Sequence, residues 1–184
     1  MKQLLLLLLS ITSFSAWGCY DRSMSETENL SNCTQLAEQG KASAQGTLGA
    51  MYYAGKGTEQ DYVQAEKWFR KAAEQDYALS QQSLARMYAL GHGVTKDLKE
   101  SVKWYRKAAE NGLPSAQGQM GVIYVTGDGV EMDTIEAYKW AVIAVANGHQ
   151  QSADFRDNVA KSMSSDQIVE AVARAKAWRE SRKK

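Results

Sequence analysis

Tyr88-Ala89-Leu90-Gly91-His92-Gly93-Val94-Thr95-Lys96-Asp97, with Trp104 seven residues on, is the stretch on which the fold depends. Moving 36 residues toward the N-terminus gives Tyr52, Gly55, Gly57, Asp61 and Trp68 at the same spacing. Moving 36 toward the C-terminus gives Tyr124, Gly127, Gly129, Asp133 and Trp140. Gln45/Gln81/Gln117, Lys67/Lys103/Lys139 and Ala72/Ala108/Ala144 complete the columns that are identical in all three copies, and no gap is needed. A fixed period of this length marks a repeat architecture.

Each column has a physical task. Ala44, Leu48, Met51 and Tyr52 recur at helical spacing, as do Ser80, Leu84, Met87, Tyr88 and Ala116, Met120, Ile123, Tyr124, so every copy opens with a helix carrying one apolar face. Gly-x-Gly follows, where glycine permits the positive φ that ends that helix and turns the chain back. Asp61, Asp97 and Asp133 are placed to cap a second helix, and Gln64, Glu100 and Glu136 three residues on complete a capping-box-like pattern. The second helix presents Ala65, Trp68 and Ala72 on one face. A helix–turn–helix unit cannot bury both faces alone, so the copies stack. The chain is therefore expected to be all-α, an α-α superhelix of hairpins over 44–79, 80–115 and 116–151. An N-terminal capping segment at 19–43, with a helix near Ser25–Gln39, and C-terminal capping helices at 152–184 close the ends. Ser164 and Gln167 offer a capping box for the last helix. The single proline, Pro114, is expected in the turn between the second and third copies.

The pattern Leu48-Gly49-x-x-Tyr52-x-x-Gly55-x-Gly57, then Asp61, then Ala65-x-x-Trp68-Phe69-x-Lys71-Ala72-Ala73, resembles the Sel1-like repeat, a relative of tetratricopeptide repeats. The second copy matches best, and the third departs after Trp140, where Ala141-Val142-Ile143 stands. The resemblance implies a short right-handed solenoid and a scaffolding role at the bacterial envelope. It implies little about activity, because the matched residues build the scaffold.

Composition is that of an ordinary globular chain: 184 residues, 44% hydrophobic and 23% charged. The formal net charge of +1 supplies no field for nucleic acid or an anionic membrane. Residues 1–18 read as a signal peptide, with Lys2 ahead of the apolar run Leu4–Leu9 and Ala16-Trp17-Gly18 before Cys19. Without that leader 21 basic and 21 acidic residues remain, and no later run is long and apolar enough to cross a membrane. Export to the periplasm or beyond follows as an expectation. Cys19 and Cys33 are the only cysteines, and an even count in an oxidising compartment favours a disulfide between them. Lipidation of Cys19 is the alternative, disfavoured because Ala16 and bulky Trp17 precede it. Asn29-Leu30-Ser31 and Asn32-Cys33-Thr34 match the glycosylation acceptor pattern and are read as chance matches.

No catalytic constellation emerges. His92 and His149 are read as turn residues, and neither cysteine has a metal-ligand partner. Gly-x-Gly lacks the third glycine of a dinucleotide site, so no cofactor or metal is expected. Ser181-Arg182-Lys183-Lys184 is the one Ser-x-x-Lys match and has no companion motif. The expectation is a non-enzymatic adaptor that holds a protein or peptide in a groove lined by first helices. Specificity then falls where copies differ: Thr47/Ser83/Gln119, Ala50/Arg86/Val122 and Tyr53/Ala89/Val125, with Arg86 and Tyr53 as anchors. A β-lactam-interacting envelope protein and a secreted host-interacting factor are the other readings.

Overall fold

Apolar residues at helical spacing fill the stretches between the Gly-x-Gly turns, and helices are what form there. The computed structural model describes residues 19–182, all helix, turn and loop, with no strand. The elements are α1 (Glu26–Glu38), α2 (Ala42–Ala54), α3 (Tyr62–Ala73), α4 (Ala78–Leu90), α5 (Leu98–Glu110), α6 (Pro114–Thr126), α7 (Thr134–Ala146), α8 (Ser152–Ala160) and α9 (Ser165–Ser181). The expected leader, residues 1–18, lies outside the described residues. Each helix from α1 to α8 packs on its neighbours in sequence, and α9 turns back onto α7. Contact between neighbours makes a helical-hairpin solenoid.

The two turn glycines do different work. Gly55, Gly91 and Gly127 end α2, α4 and α6 in the left-handed region, at φ 69°, 77° and 74°. Gly57, Gly93 and Gly129 seat each turn on the helix before it. A Cβ at Gly93 would overlap the Tyr62 carbonyl at the start of α3, and one at Gly129 would lie 2.6 Å from the Leu98 carbonyl of α5. Gly57 meets Glu26 of α1 in the same way, so α1 acts as the second helix of a missing repeat.

Asp61, Asp97 and Asp133 cap α3, α5 and α7, each accepting the N–H three residues on at 2.9–3.0 Å. Only this half of the expected box forms. The capping residue's own N–H donates instead to the carbonyl of Tyr52, Tyr88 or Tyr124 at 2.9 Å, closing the turn. Glu100 and Glu136 are thereby released to pair with Lys103 and Lys139. Full boxes form at Ser25 with Glu28 and at Ser164 with Gln167, heading the two end helices.

Buried glutamines join consecutive hairpins. Gln45, Gln81 and Gln117 donate to the carbonyls of Ala37, Ala73 and Ala109 at 3.0–3.1 Å, at the close of the preceding second helix. Their side-chain oxygens accept from Gln75, Asn111 and Asn147. Pro114 is not in the turn but is the first residue of α6, where the missing N–H has no intrahelical partner to lose.

Cys19 and Cys33 form a disulfide, which leaves no free sulfur on Cys19 for a lipid. Asn29 reinforces it, accepting from the Asp21 N–H and donating to the Asp21 carbonyl, while Asn32 donates to the Cys19 carbonyl. Both asparagines of the acceptor patterns are thus engaged in the fold. At the far end α9 buries Ala171 and Ala175, and Trp178 stands edge-on to Trp140 at 5.4 Å.

Candidate functional site

Repeat columns are consumed by the scaffold. Tyr88 and Tyr124 hold Arg70 and Arg106 at 2.7 and 2.8 Å, and Lys71 and Lys107 lie over Trp68 and Trp104. What remains for a partner are positions that differ between copies.

The structure separates the positions expected to line a groove. Thr47 is buried and donates to the Ser43 carbonyl at 2.9 Å, while Ser83 donates to the Leu79 carbonyl at 2.9 Å, each hydroxyl turned along its own helix. Ala50 is exposed on α2. Tyr53 is drawn into the neighbouring turn, its hydroxyl 2.9 Å from His92 Nδ1. His92 stacks on Tyr62 at 4.6 Å and is half-buried rather than the exposed loop residue its slot suggests. The reason is Gly93, whose missing Cβ lets the turn rest on Tyr62 and lays the imidazole on that ring.

Arg86 and Gln119 come together with Val122 around a cavity of about 390 Å³ among α4, α6 and α8. Tyr105 reaches it from α5, and Phe155 of α8 adds an apolar wall. Gln82 bonds Ser115 across the gap between α4 and α6 at 2.9 Å. On the far side His149 Nδ1 lies 2.8 Å from the Ser152 hydroxyl, and Gly118 leaves the room for both, since a Cβ there would lie 2.6 Å from that hydroxyl oxygen. His149 was passed over as a turn residue. The signal was present in the column Gly46/Gln82/Gly118, where a glycine opens space for the side chains of the next turn.

Electrostatics distinguish two residues. Arg86 is the one charged side chain of the lining, is exposed, and makes no hydrogen bond or ion pair with any described residue. Tyr105 is 7% exposed, and its hydroxyl has no hydrogen-bond partner among the described residues. Burial pushes the Tyr105 phenol up to about 12, with the Arg86 charge pulling the other way. Tyr105 stands where the other copies carry Phe69 and Ala141, so the hydroxyl belongs to this copy alone.

Among the described residues no group of three His, Cys, Asp or Glu side chains is placed to hold a metal ion. Ser181, of the Ser-x-x-Lys match, donates to the Trp178 carbonyl at the end of α9, and Lys184 lies outside the described residues.

The Sel1 repeat model matches three consecutive segments, 42–77, 78–113 and 114–149. The chain belongs to the Sel1 repeat family. The three segments start where α2, α4 and α6 start. Two solved structures are similar. One is a protective antigen present in uropathogenic Escherichia coli strains and displaying an SLR fold, at 35% identity and a TM-score of 0.78 over 87% of this chain. The other is a Sel1 repeat protein from Oxalobacter formigenes, at 30% identity and a TM-score of 0.71 over 81% of this chain. This chain spans 33% of the first protein's length and 65% of the second's. Among curated proteins none matches the sequence significantly. Each matched segment spans one helical hairpin of the solenoid.

Proposed function

We propose that this Sel1-repeat protein is an exported adaptor that holds a protein or peptide partner in the cavity among α4, α6 and α8. One observation carries the reading. The residues that vary between copies, Arg86, Gln119 and Val122, converge there, and the charge of Arg86 is unanswered within the protein. A volume of about 390 Å³ falls in the range of ligand clefts. It accommodates a few side chains of a partner, and Arg and Tyr are the side chains most often dominant in such contacts.

The leader read in residues 1–18 supports export, and the Cys19–Cys33 disulfide suits an oxidising compartment. The description of one similar protein as a protective antigen fits a place at the cell envelope or outside it. Among the described residues no helix is long and apolar enough to cross a membrane, and a disulfide-bonded Cys19 carries no lipid thioether.

Affinity capture from a bacterial envelope extract tests the reading. Wild type is compared with Arg86→Ala plus Val122→Ala, both exposed positions whose loss spares the core. The expected result is a partner retained by wild type and lost by the double variant. An unchanged set of captured proteins would overturn it.

A further inference from the structure

The cavity among α4, α6 and α8 also carries information about the chemistry of its occupant, an inference that rests on the peptide-binding reading above. Its lining holds hydrogen-bond donors and no carboxylate: the Arg86 guanidinium, the Tyr105 hydroxyl and the amides of Gln119 and Gln151. Arg70 pairs with Glu66, and Arg174 with Glu136 and Glu170, but no carboxylate lines the cavity beside Arg86. The Tyr105 ring is buried, and its hydroxyl makes no hydrogen bond within the described residues and opens onto the cavity. The Arg86 guanidinium and the Tyr105 hydroxyl line one cavity, and the charge of Arg86 acts on that hydroxyl. Beside them Val122, 37% exposed, and Phe155 present apolar surface.

We infer that the cavity receives an acidic side chain, Asp or Glu, of an extended peptide segment, seated between the Arg86 guanidinium and the Tyr105 hydroxyl, with an adjacent apolar side chain against Val122 and Phe155. A carboxylate accepts from both donors at once, and such charge-assisted bonds are about twice as strong as neutral ones. The acid belongs to a side chain within the segment and not to a chain end. The cavity spans the consecutive first-position helices α4, α6 and α8, and a segment laid across them continues past it on both sides.

The test uses the full chain and a library of random hexapeptides blocked by acetyl and amide groups at their ends. A selected peptide is then titrated by fluorescence anisotropy as itself and with its acid replaced by the corresponding amide. The expected result is an Asp or Glu at one fixed position beside an apolar residue. Exchanging it for the amide weakens binding roughly ten-fold on wild type and by less than about two-fold on Arg86→Gln. Tyr105→Phe is expected to lose part of the same discrimination. Selected peptides without a fixed acid, or equal binding of acid and amide forms, overturn this inference and leave the groove as a peptide site. Tighter binding of acid-free peptides with an unblocked C-terminal carboxylate overturns the assignment to a side chain. Selection of no peptide by wild type overturns both readings.

Discussion

At residue scale, glycines with similar backbone angles carry different loads. Gly93 and Gly112 have φ of 72° and 83°. A Cβ at Gly93 would strike the Tyr62 carbonyl, whereas one at Gly112 would meet nothing within 4 Å. Gly112→Ala is therefore expected to cost only the left-handed strain, about 1–2 kcal/mol. Gly93→Ala adds a clash between two backbones and is expected to cost more, at least ~3 kcal/mol in total. Urea unfolding of both variants checks this, and equal losses would show that the turn is not seated on α3. The repeat column revealed that both glycines of the turn were needed. It did not reveal that the second serves the preceding repeat, because that contact joins residues 31 positions apart.

At element scale, helices and their order were readable because apolar spacing, capping aspartates and turn glycines agree in every copy. The end helices were readable too, as α1 and α9 begin at the Ser25 and Ser164 boxes. Two local readings failed, one because a backbone N–H found another acceptor and one because a missing N–H suits a helix start. Asp61, Asp97 and Asp133 give their N–H to a tyrosine carbonyl, and Pro114 opens a helix where its lack of an N–H costs nothing. The disulfide belongs to this scale because it ties residues 19–21 to α1 over a small cluster of Cys33, Ala37, Ala44 and Leu48. Closing a loop of that length stabilises by about 3 kcal/mol in the chain-entropy model. Reduction is thus expected to open α1 and α2 while α6, α7 and α9 keep their protection, since a solenoid frays from an end. Hydrogen exchange followed by mass spectrometry reads this directly, and uniform loss of protection along the chain would contradict it.

At the scale of the whole molecule, the solenoid brings α4, α6 and α8 side by side. Only there do Arg86, Tyr105, Gln119 and His149, spread over some 63 residues of chain, line one cavity. Sequence comparison between copies singled out Arg86 and Gln119 of this lining, which vary on the first helix. It missed Tyr105, which reaches the cavity from the second helix, and His149, which reaches it from a turn. It also grouped Tyr53 with Arg86, although packing takes Tyr53 to the His92 turn. Column membership is a local property, whereas a cavity depends on which of three stacked units turns its side chains toward the others.

The central claim is that a partner lies in that cavity, and site-directed photo-cross-linking in cells exporting the protein tests it most directly. A photoreactive phenylalanine analogue replaces Gln119 at the cavity or Lys67, exposed on α3, as the control. The account predicts a discrete cross-linked partner from position 119 and none from position 67, and the Arg86→Gln exchange should abolish the product. The same products from both positions, or a product from position 67 alone, would contradict it.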